Sequence, residues 1–189
     1  MKSASFQNLH TPRLALRQLR AEDAPLYYSR LFGDARVARG MLWTPHPDPA
    51  ASAERLQAIL ARYAAPDFYR WGIALAQTDE LIGIISLERL DLHRNCCSFA
   101  YMLGVDFWGF GYAAEALRAV LCFAFDVLQL DEVAADHFAD NPASGRAMQK
   151  AGMQCCGTVL KKYEKDGVWH DAVCYRITRQ QFAAAMIPQ

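Results

Sequence analysis

Leu103-Gly104-Val105-Asp106-Phe107-Trp108-Gly109-Phe110-Gly111-Tyr112-Ala113-Ala114-Glu115-Ala116-Leu117 is the stretch that decides the fold. Cys97 to Leu103 before it reads as a strand. After it, Leu117, Val120, Leu121, Ala124 and Leu128 recur at helical spacing up to an end near Leu128. A glycine-rich loop that opens a helix suits phosphate. Glycines let the backbone come close to an anion, and the unpaired N–H groups of the first helical turn supply donors at the positive end of the dipole.

Gly109-Phe110-Gly111-Tyr112-Ala113-Ala114 also satisfies the dinucleotide fingerprint G-x-G-x-x-G/A. The context argues against that reading. A dinucleotide loop passes from its strand straight into the first glycine, whereas Asp106, Phe107 and Trp108 intervene here. Such a loop also opens a nucleotide domain, but fewer than half the residues follow Gly109 and a meander precedes it.

Outward from the loop, Tyr69 to Ala76 and Leu81 to Leu90 read as strands joined by a tight turn at Thr78-Asp79. Arg13 to Leu19 alternates as a further strand. A first helix starts near Glu22, with Leu26, Leu31 and Phe32, and a second follows Ser52 as N-cap, with Leu56, Ile59, Leu60 and Tyr63 on one face. Downstream, Glu132 to Phe138 is a strand. Asn141 caps a helix with Pro142 at its first position and Gly152 at its stop. Strands Gly157 to Tyr163 and Val168 to Ile177 flank an Asp166-Gly167 hairpin turn. The order β-α-α-β-β-β-α-β-α-β-β describes a mixed α/β chain, α+β in arrangement, and residues 1–189 read as one domain.

Ala100-Tyr101-Met102-Leu103-Gly104 running into Trp108-Gly109-Phe110-Gly111-Tyr112-Ala113 resembles the strand and pyrophosphate loop of the GNAT N-acetyltransferases. Gly111 and Ala113 match the small positions of that loop; Trp108 stands where many members have Arg or Gln, a replacement typical of the RimJ/RimL-like branch. Asn141-Pro142-Ala143-Ser144, Lys150-Ala151-Gly152-Met153 and Gly167-Val168-Trp169-His170-Asp171 resemble signatures of the same branch. The resemblance implies a mostly antiparallel mixed sheet, splayed between the Tyr101 and His137 strands and flanked by helices. It implies direct acetyl transfer from acetyl-CoA to a primary amine, a protein N-terminal α-amine in this branch. Leu103, Val105, Trp108, Gly109, Phe110, Gly111, Tyr112, Ala113, Asn141 and Ser144 are then the cofactor residues, with the Leu103 and Val105 N–H groups on the pantetheine and thioester. Without a splay those two would belong to an ordinary paired strand.

Ser144 is implied as the hydroxyl beside the CoA sulfur, although a Ser near a helix start is often only a capping group. A thiolate of pKa about 8.5 gains from such a hydrogen bond without demanding a strong acid. Ser98 occupies the place where many relatives carry Glu, so Glu88, His137 and Glu164 are the substitute candidates for general base. Trp43, His46 and Tyr101 are candidates for the acceptor side, Trp43 and His46 (with Pro45 and Pro47) as an apolar lid or as a loop packed on the core. Trp71 reads as core. An α-amine of pKa about 7.7–8.0 is already roughly a tenth neutral at pH 7, whereas a Lys amine near 10.4 almost never is. A chain with no obvious base therefore suits α-amines better.

Twenty basic and 20 acidic residues cancel, which leaves no net field to gather nucleic acid or an anionic membrane. The longest apolar runs, Leu81 to Leu87 and Ala119 to Phe125, are far short of the roughly 20 residues that cross a bilayer. Lys2 is followed by Gln7, Asn8, His10 and Arg13 instead of an apolar run, so no secretory signal and a cytoplasmic address are expected. The six cysteines lack metal-site spacing, and read as reduced, half-buried thiols with no metal expected. A monomer or homodimer is equally consistent with the sequence. The alternatives kept open are transfer to a polyamine or aminoglycoside, a CoA-binding sensor without a base, and the dinucleotide enzyme.

Overall fold

The computed structural model describes residues 4–185; Lys2, used in the signal reading, lies outside them. One eight-stranded sheet has the order β1-β2-β3-β4-β5-β6-β8-β7. Its strands are β1 (Leu9–His10), β2 (Leu14–Arg17), β3 (Arg70–Leu75), β4 (Leu81–Asp91), β5 (Cys96–Leu103), β6 (Glu132–Phe138), β7 (Gln154–Lys165) and β8 (Val168–Thr178). All neighbours run antiparallel except β5 and β6.

That parallel pair is the opening of the molecule. Only Cys96, Cys97 and Ser98 register with Glu132, Val133 and Ala134. Beyond them β5 stays on β4 as far as Gly83 opposite Leu103, and β6 stays on β8 as far as Phe138 opposite Ala172, so the two strands part. The expected splay between the Tyr101 and His137 strands is present.

The helices are α1 (Ala24–Leu26), α2 (Ala35–Ala38), α3 (Pro49–Arg62), α4 (Tyr112–Cys122), α5 (Pro142–Lys150) and α6 (Arg179–Ala185). α1 continues into a wider π-type turn over Tyr27–Phe32, and α4 does the same over Phe123–Val127. The apolar stripe of α4, Leu117, Val120 and Leu121, packs on Ile85, Phe99 and Leu103 of one sheet face. On the other face Leu56 and Ile59 of α3 join Tyr27, Leu31 and Phe32 over Ile84. Trp71, fully buried, lies in the first cluster as expected. Asp166 and Gly167 both take positive φ (50° and 77°), which makes the β7–β8 connection the expected hairpin turn.

Two caps differ from the sequence reading. α3 starts at Pro49, and the Asp48 carboxylate accepts from the Ala51 N–H at 2.8 Å. Asp before Pro is the stronger start signal, since Pro at N1 lacks the N–H that would go unpaired. Ser52 is instead fully buried inside α3. Asn141 holds the N-cap position of α5 but makes no side-chain cap bond; its backbone carbonyl accepts the Ser144 N–H at 3.1 Å. Its amide turns to the α2–α3 loop, where a β-carbon on Gly40 would lie only 2.7 Å from Nδ2. The cysteine reading is corrected in one detail. Cys97 is buried, with its thiol pushed up to about 12 by desolvation, but Cys155 and Cys156 are both exposed on the thinly covered edge strand β7.

Candidate active site

The phosphate loop takes the form its glycines permit. Gly109 and Gly111 have φ of 85° and 82°, values that side-chain-bearing residues avoid. Gly111 is the left-handed N-cap of α4 and its carbonyl accepts the Glu115 N–H. A β-carbon on Gly109 would meet no atom within 4 Å, so the loop looks onto open space. Phe110 and Trp108 are exposed, and the Trp108 indole N–H donates to the Leu103 carbonyl at 2.8 Å, folding the loop back on the end of β5.

The Gly104 N–H donates to Ile82 on β4. By strand alternation the N–H group of Leu103 faces away from β4, to the side β6 has left, and Val105 opens the short 3-10 turn that follows. Across the split, Ser144 sits in the first turn of α5. Its hydroxyl lies 2.8 Å from the Tyr101 hydroxyl, which also reaches the Ser144 carbonyl at 3.0 Å. Burial pushes the Tyr101 phenol up to about 12, against the lowering effect of the Ser144 hydrogen bond. Two residues that the sequence assigned separately, one to the acceptor and one to the leaving thiol, therefore form one hydroxyl pair in the opening.

α5 comes this close because residue 145 is glycine. A β-carbon there would lie 2.6 Å from His137 Nε2 and 2.8 Å from the Tyr175 hydroxyl. His137 is buried beneath that turn beside the Tyr175 ring; Nδ1 meets the Phe138 carbonyl at 2.7 Å and Nε2 has no hydrogen-bond partner.

Glu88 lies on the opposite sheet face, directly across from Ser98. Its carboxylate accepts from the Ser86 hydroxyl at 2.6 Å and from Arg70 Nη2 at 2.9 Å, and Ser98 donates to its backbone carbonyl. Glu164 is exposed on β7 opposite Trp169. Trp43 and His46 pack on the Phe32 ring, with centroids at 4.6 and 4.9 Å. His46 Nδ1 is 2.7 Å from the Ser52 hydroxyl, and desolvation, aided by the Arg55 charge, lowers its pKa. Sequence reasoning missed Ser86 and Arg70 and gave Ser52 a capping role instead, because their contacts depend on strand register and on a loop folding back.

A strand ends in a left-handed glycine loop, a helix opens onto that loop, and the sheet is parted on the same strand. Residues 13–154 match the family described as acetyltransferase (GNAT) domain. The chain belongs to the GNAT acetyltransferases. This GNAT protein is 29% identical to the uncharacterized N-acetyltransferase YoaA of Bacillus subtilis, over 92% of this chain and 98% of the relative. A GNAT-family acetyltransferase structure from Bacillus anthracis superposes with a TM-score of 0.82 at 20% identity, covering 92% of this chain and 99% of its own. The structure of a ribosomal-protein-S5-alanine acetyltransferase from Vibrio fischeri gives 0.78 at 16% identity, covering 93% and 98%. The protein is thus an acetyl-CoA-dependent N-acetyltransferase with an open, mixed eight-stranded sheet.

The residues present fit that donor. A diphosphate needs inward N–H groups and free room, which the glycine loop and the first turn of α4 provide. A thioester carbonyl needs unpaired N–H donors, which the edge of β5 provides where β6 leaves it. Among the described residues no three His, Cys, Asp or Glu side chains converge as a metal site, and no helix is long and apolar enough to cross a membrane.

Proposed function

We propose that the chain is a RimJ/RimL-like enzyme that acetylates a protein N-terminal α-amine, and that the Tyr101–Ser144 pair serves the departing thiol. The observation that carries this reading is the placement of that pair in the split between β5 and β6, with Glu88 on the far face. Thiol and amine are then handled from opposite sides of the sheet. The likeness to the Vibrio fischeri ribosomal-protein enzyme supports the choice of acceptor.

Acetyl-CoA supplies an activated acyl group as its thioester. The N–H groups of the Gly109–Ala113 loop hold the diphosphate. The Leu103 and Val105 N–H groups bind the pantetheine arm and polarise the thioester carbonyl. Trp108 fixes the Leu103 carbonyl and so the set of the adjacent peptides. When the Tyr101 hydroxyl donates to Ser144 Oγ instead of to the Ser144 carbonyl, the Ser144 proton is free for sulfur. Glu88, with its carboxylate oriented by Ser86 and Arg70, takes the amine proton directly or through water. His137 is buried behind the first turn of α5 and supports Gly145 instead of reaching the amine. Asn141, against Gly40, and the Trp43–His46 loop border the acceptor entrance.

A panel of peptides with free N-termini, N-terminally blocked lysine peptides, polyamines and aminoglycosides tests the acceptor. Free N-terminal peptides should give the highest kcat/KM, rising with pH up to about 8 as the α-amine deprotonates. Preference for a blocked lysine peptide or a small amine overturns the acceptor reading. Binding of acetyl-CoA without transfer to any amine indicates a sensor.

A further inference from the structure

The peptide between Phe110 and Gly111 turns about ψ of Phe110 and φ of the left-handed Gly111, with a second left-handed glycine, Gly109, just before Phe110. Glycine crosses between positive and negative φ at little cost, so the loop alone does not hold this peptide in one orientation. A side chain from the other end of the sequence does. Arg13, in the turn before β2, donates from Nη1 to the Phe110 carbonyl at 3.0 Å, and its guanidinium stacks on the Tyr112 ring at 4.6 Å. Nη2 would be 3.6 Å from a β-carbon on Gly111.

The guanidinium is itself held. Nε and Nη2 both reach Glu115 Oε2 at 2.6 Å. The other carboxylate oxygen accepts from the Thr11 hydroxyl at 2.6 Å and the Arg13 N–H at 3.1 Å. Thr11 is fixed in turn by Leu14, whose N–H donates to its hydroxyl. A fork that grips a carboxylate and a carbonyl together is a geometry Arg provides and Lys does not.

In a trans peptide the C=O and N–H point in opposite directions. With the Phe110 carbonyl drawn to Arg13, the Gly111 N–H is turned the other way, into the loop. We infer that Arg13, anchored by Glu115 and Thr11, is a positioning residue for acetyl-CoA: it locks the Phe110–Gly111 peptide so that the Gly111 N–H stays presented to the diphosphate. This rests on the reading of the loop as the diphosphate site. The β1–β2 turn thereby acts on donor binding without forming part of the cleft between β5 and β6.

The test is steady-state kinetics of Arg13→Lys and Arg13→Gln with acetyl-CoA and with S-acetylpantetheine, which lacks the diphosphate, alongside Gly111→Val. KM for acetyl-CoA should rise roughly tenfold in both Arg13 variants with kcat kept, the pattern of a lost uniform binding interaction. Their kcat/KM for S-acetylpantetheine should match the parent. Melting temperatures report on folding, and Arg13→Lys, which keeps a charge beside Glu115, is the variant expected to stay near the parent. Equal losses on both donors, or a parent-like KM in Arg13→Lys, would show a merely structural tie and overturn the inference. If Gly111→Val loses acetyl-CoA while both Arg13 variants retain it, the inference fails and the loop reading stands. If none of the three loses it, the loop reading fails as well.

Discussion

Ser144→Ala removes one oxygen from the hydroxyl pair in the sheet opening, and the structure separates its catalytic cost from its structural one. The Tyr101 hydroxyl contacts both the Ser144 hydroxyl and the Ser144 carbonyl. In the variant it keeps the carbonyl at residue 144, so no buried donor is left without an acceptor. The stability loss is then limited to about 1 kcal/mol or less, which for a chain of this size lowers Tm by about 2–4 °C. The thiolate, in contrast, loses a hydrogen bond that strengthens as charge develops on sulfur. A bond to a charged group is worth about 1.5–3 kcal/mol, so kcat should fall roughly ten- to hundredfold with little change in acetyl-CoA affinity. Tyr101→Phe removes the partner and should cost less, about two- to tenfold, since a neutral hydrogen bond is worth about 0.5–1.5 kcal/mol. The double variant should be no worse than Ser144→Ala alone, because the two hydroxyls act as a unit. CoA release is best followed by chromatography, as Cys155 and Cys156 are exposed and would consume a thiol reagent. A Ser144→Ala enzyme with parental kcat and a lowered Tm would refute the catalytic role and leave Ser144 a packing residue.

Three further outcomes test separate parts of the structure. Gly111→Val places a β-branched residue at φ 82°, a strain of about 1–3 kcal/mol; calorimetry on the folded variant should show acetyl-CoA affinity reduced at least about tenfold, and unchanged affinity would remove the diphosphate assignment. Asp48→Ala should cost about 1 kcal/mol as a lost helix cap, whereas Ser52→Ala should leave α3 capped and alter the acceptor KM by freeing His46, a contrast that melting curves and kinetics read together. The Glu115 carboxyl is pushed up by desolvation, but hydrogen bonds from Thr11 and Arg13 outweigh this and hold it below its ordinary value. Its contribution to stability is therefore present above the unfolded pKa of about 4.3 and is lost as pH falls through the lower folded value. The Tm gap between the parent and Glu115→Gln should be open at pH 7 and close in that acid window, and a gap independent of pH would contradict it.

The glycine loop and the start of α4 were legible because their signals are local. Glycines at 109 and 111 followed by a helical stripe specify a loop and a helix start within a few residues, and both glycines are left-handed in the structure. The splay was not legible in this way. Periodicity marks Cys97 to Leu103 and Glu132 to Phe138 as strands but does not say that they pair over three residues and then part; only the family resemblance supplied that. Partners distant in sequence were invisible too. Tyr101 meets Ser144 across 43 residues and Thr11 meets Glu115 across 104, and no propensity or spacing rule reaches so far.

The cap that moved from Ser52 to Asp48, and the Asn141 cap that lacks its side-chain bond, show why the α2–α3 loop was harder to read. Ser and Asn are taken as caps because a short polar side chain can turn back on its own backbone, but the same shortness suits a tie to a neighbouring segment. Here both serve the α2–α3 loop. Ser52 reaches His46 Nδ1, while Asn141 lies against Gly40. The Lys165 ammonium holds the end of α2 by donating to the Ala38 carbonyl at 2.6 Å, and the His46 N–H ties the loop to the Phe32 carbonyl. The caps themselves fall to Asp48, whose charge also suits the positive end of α3, and to the Asn141 backbone carbonyl. A loop held by a few polar contacts and one aromatic stack opens more readily than a strand or a packed helix. On the proposed reading the asymmetry matches what each side admits: one fixed donor on the glycine loop, and an acceptor amine that enters past Trp43 and His46.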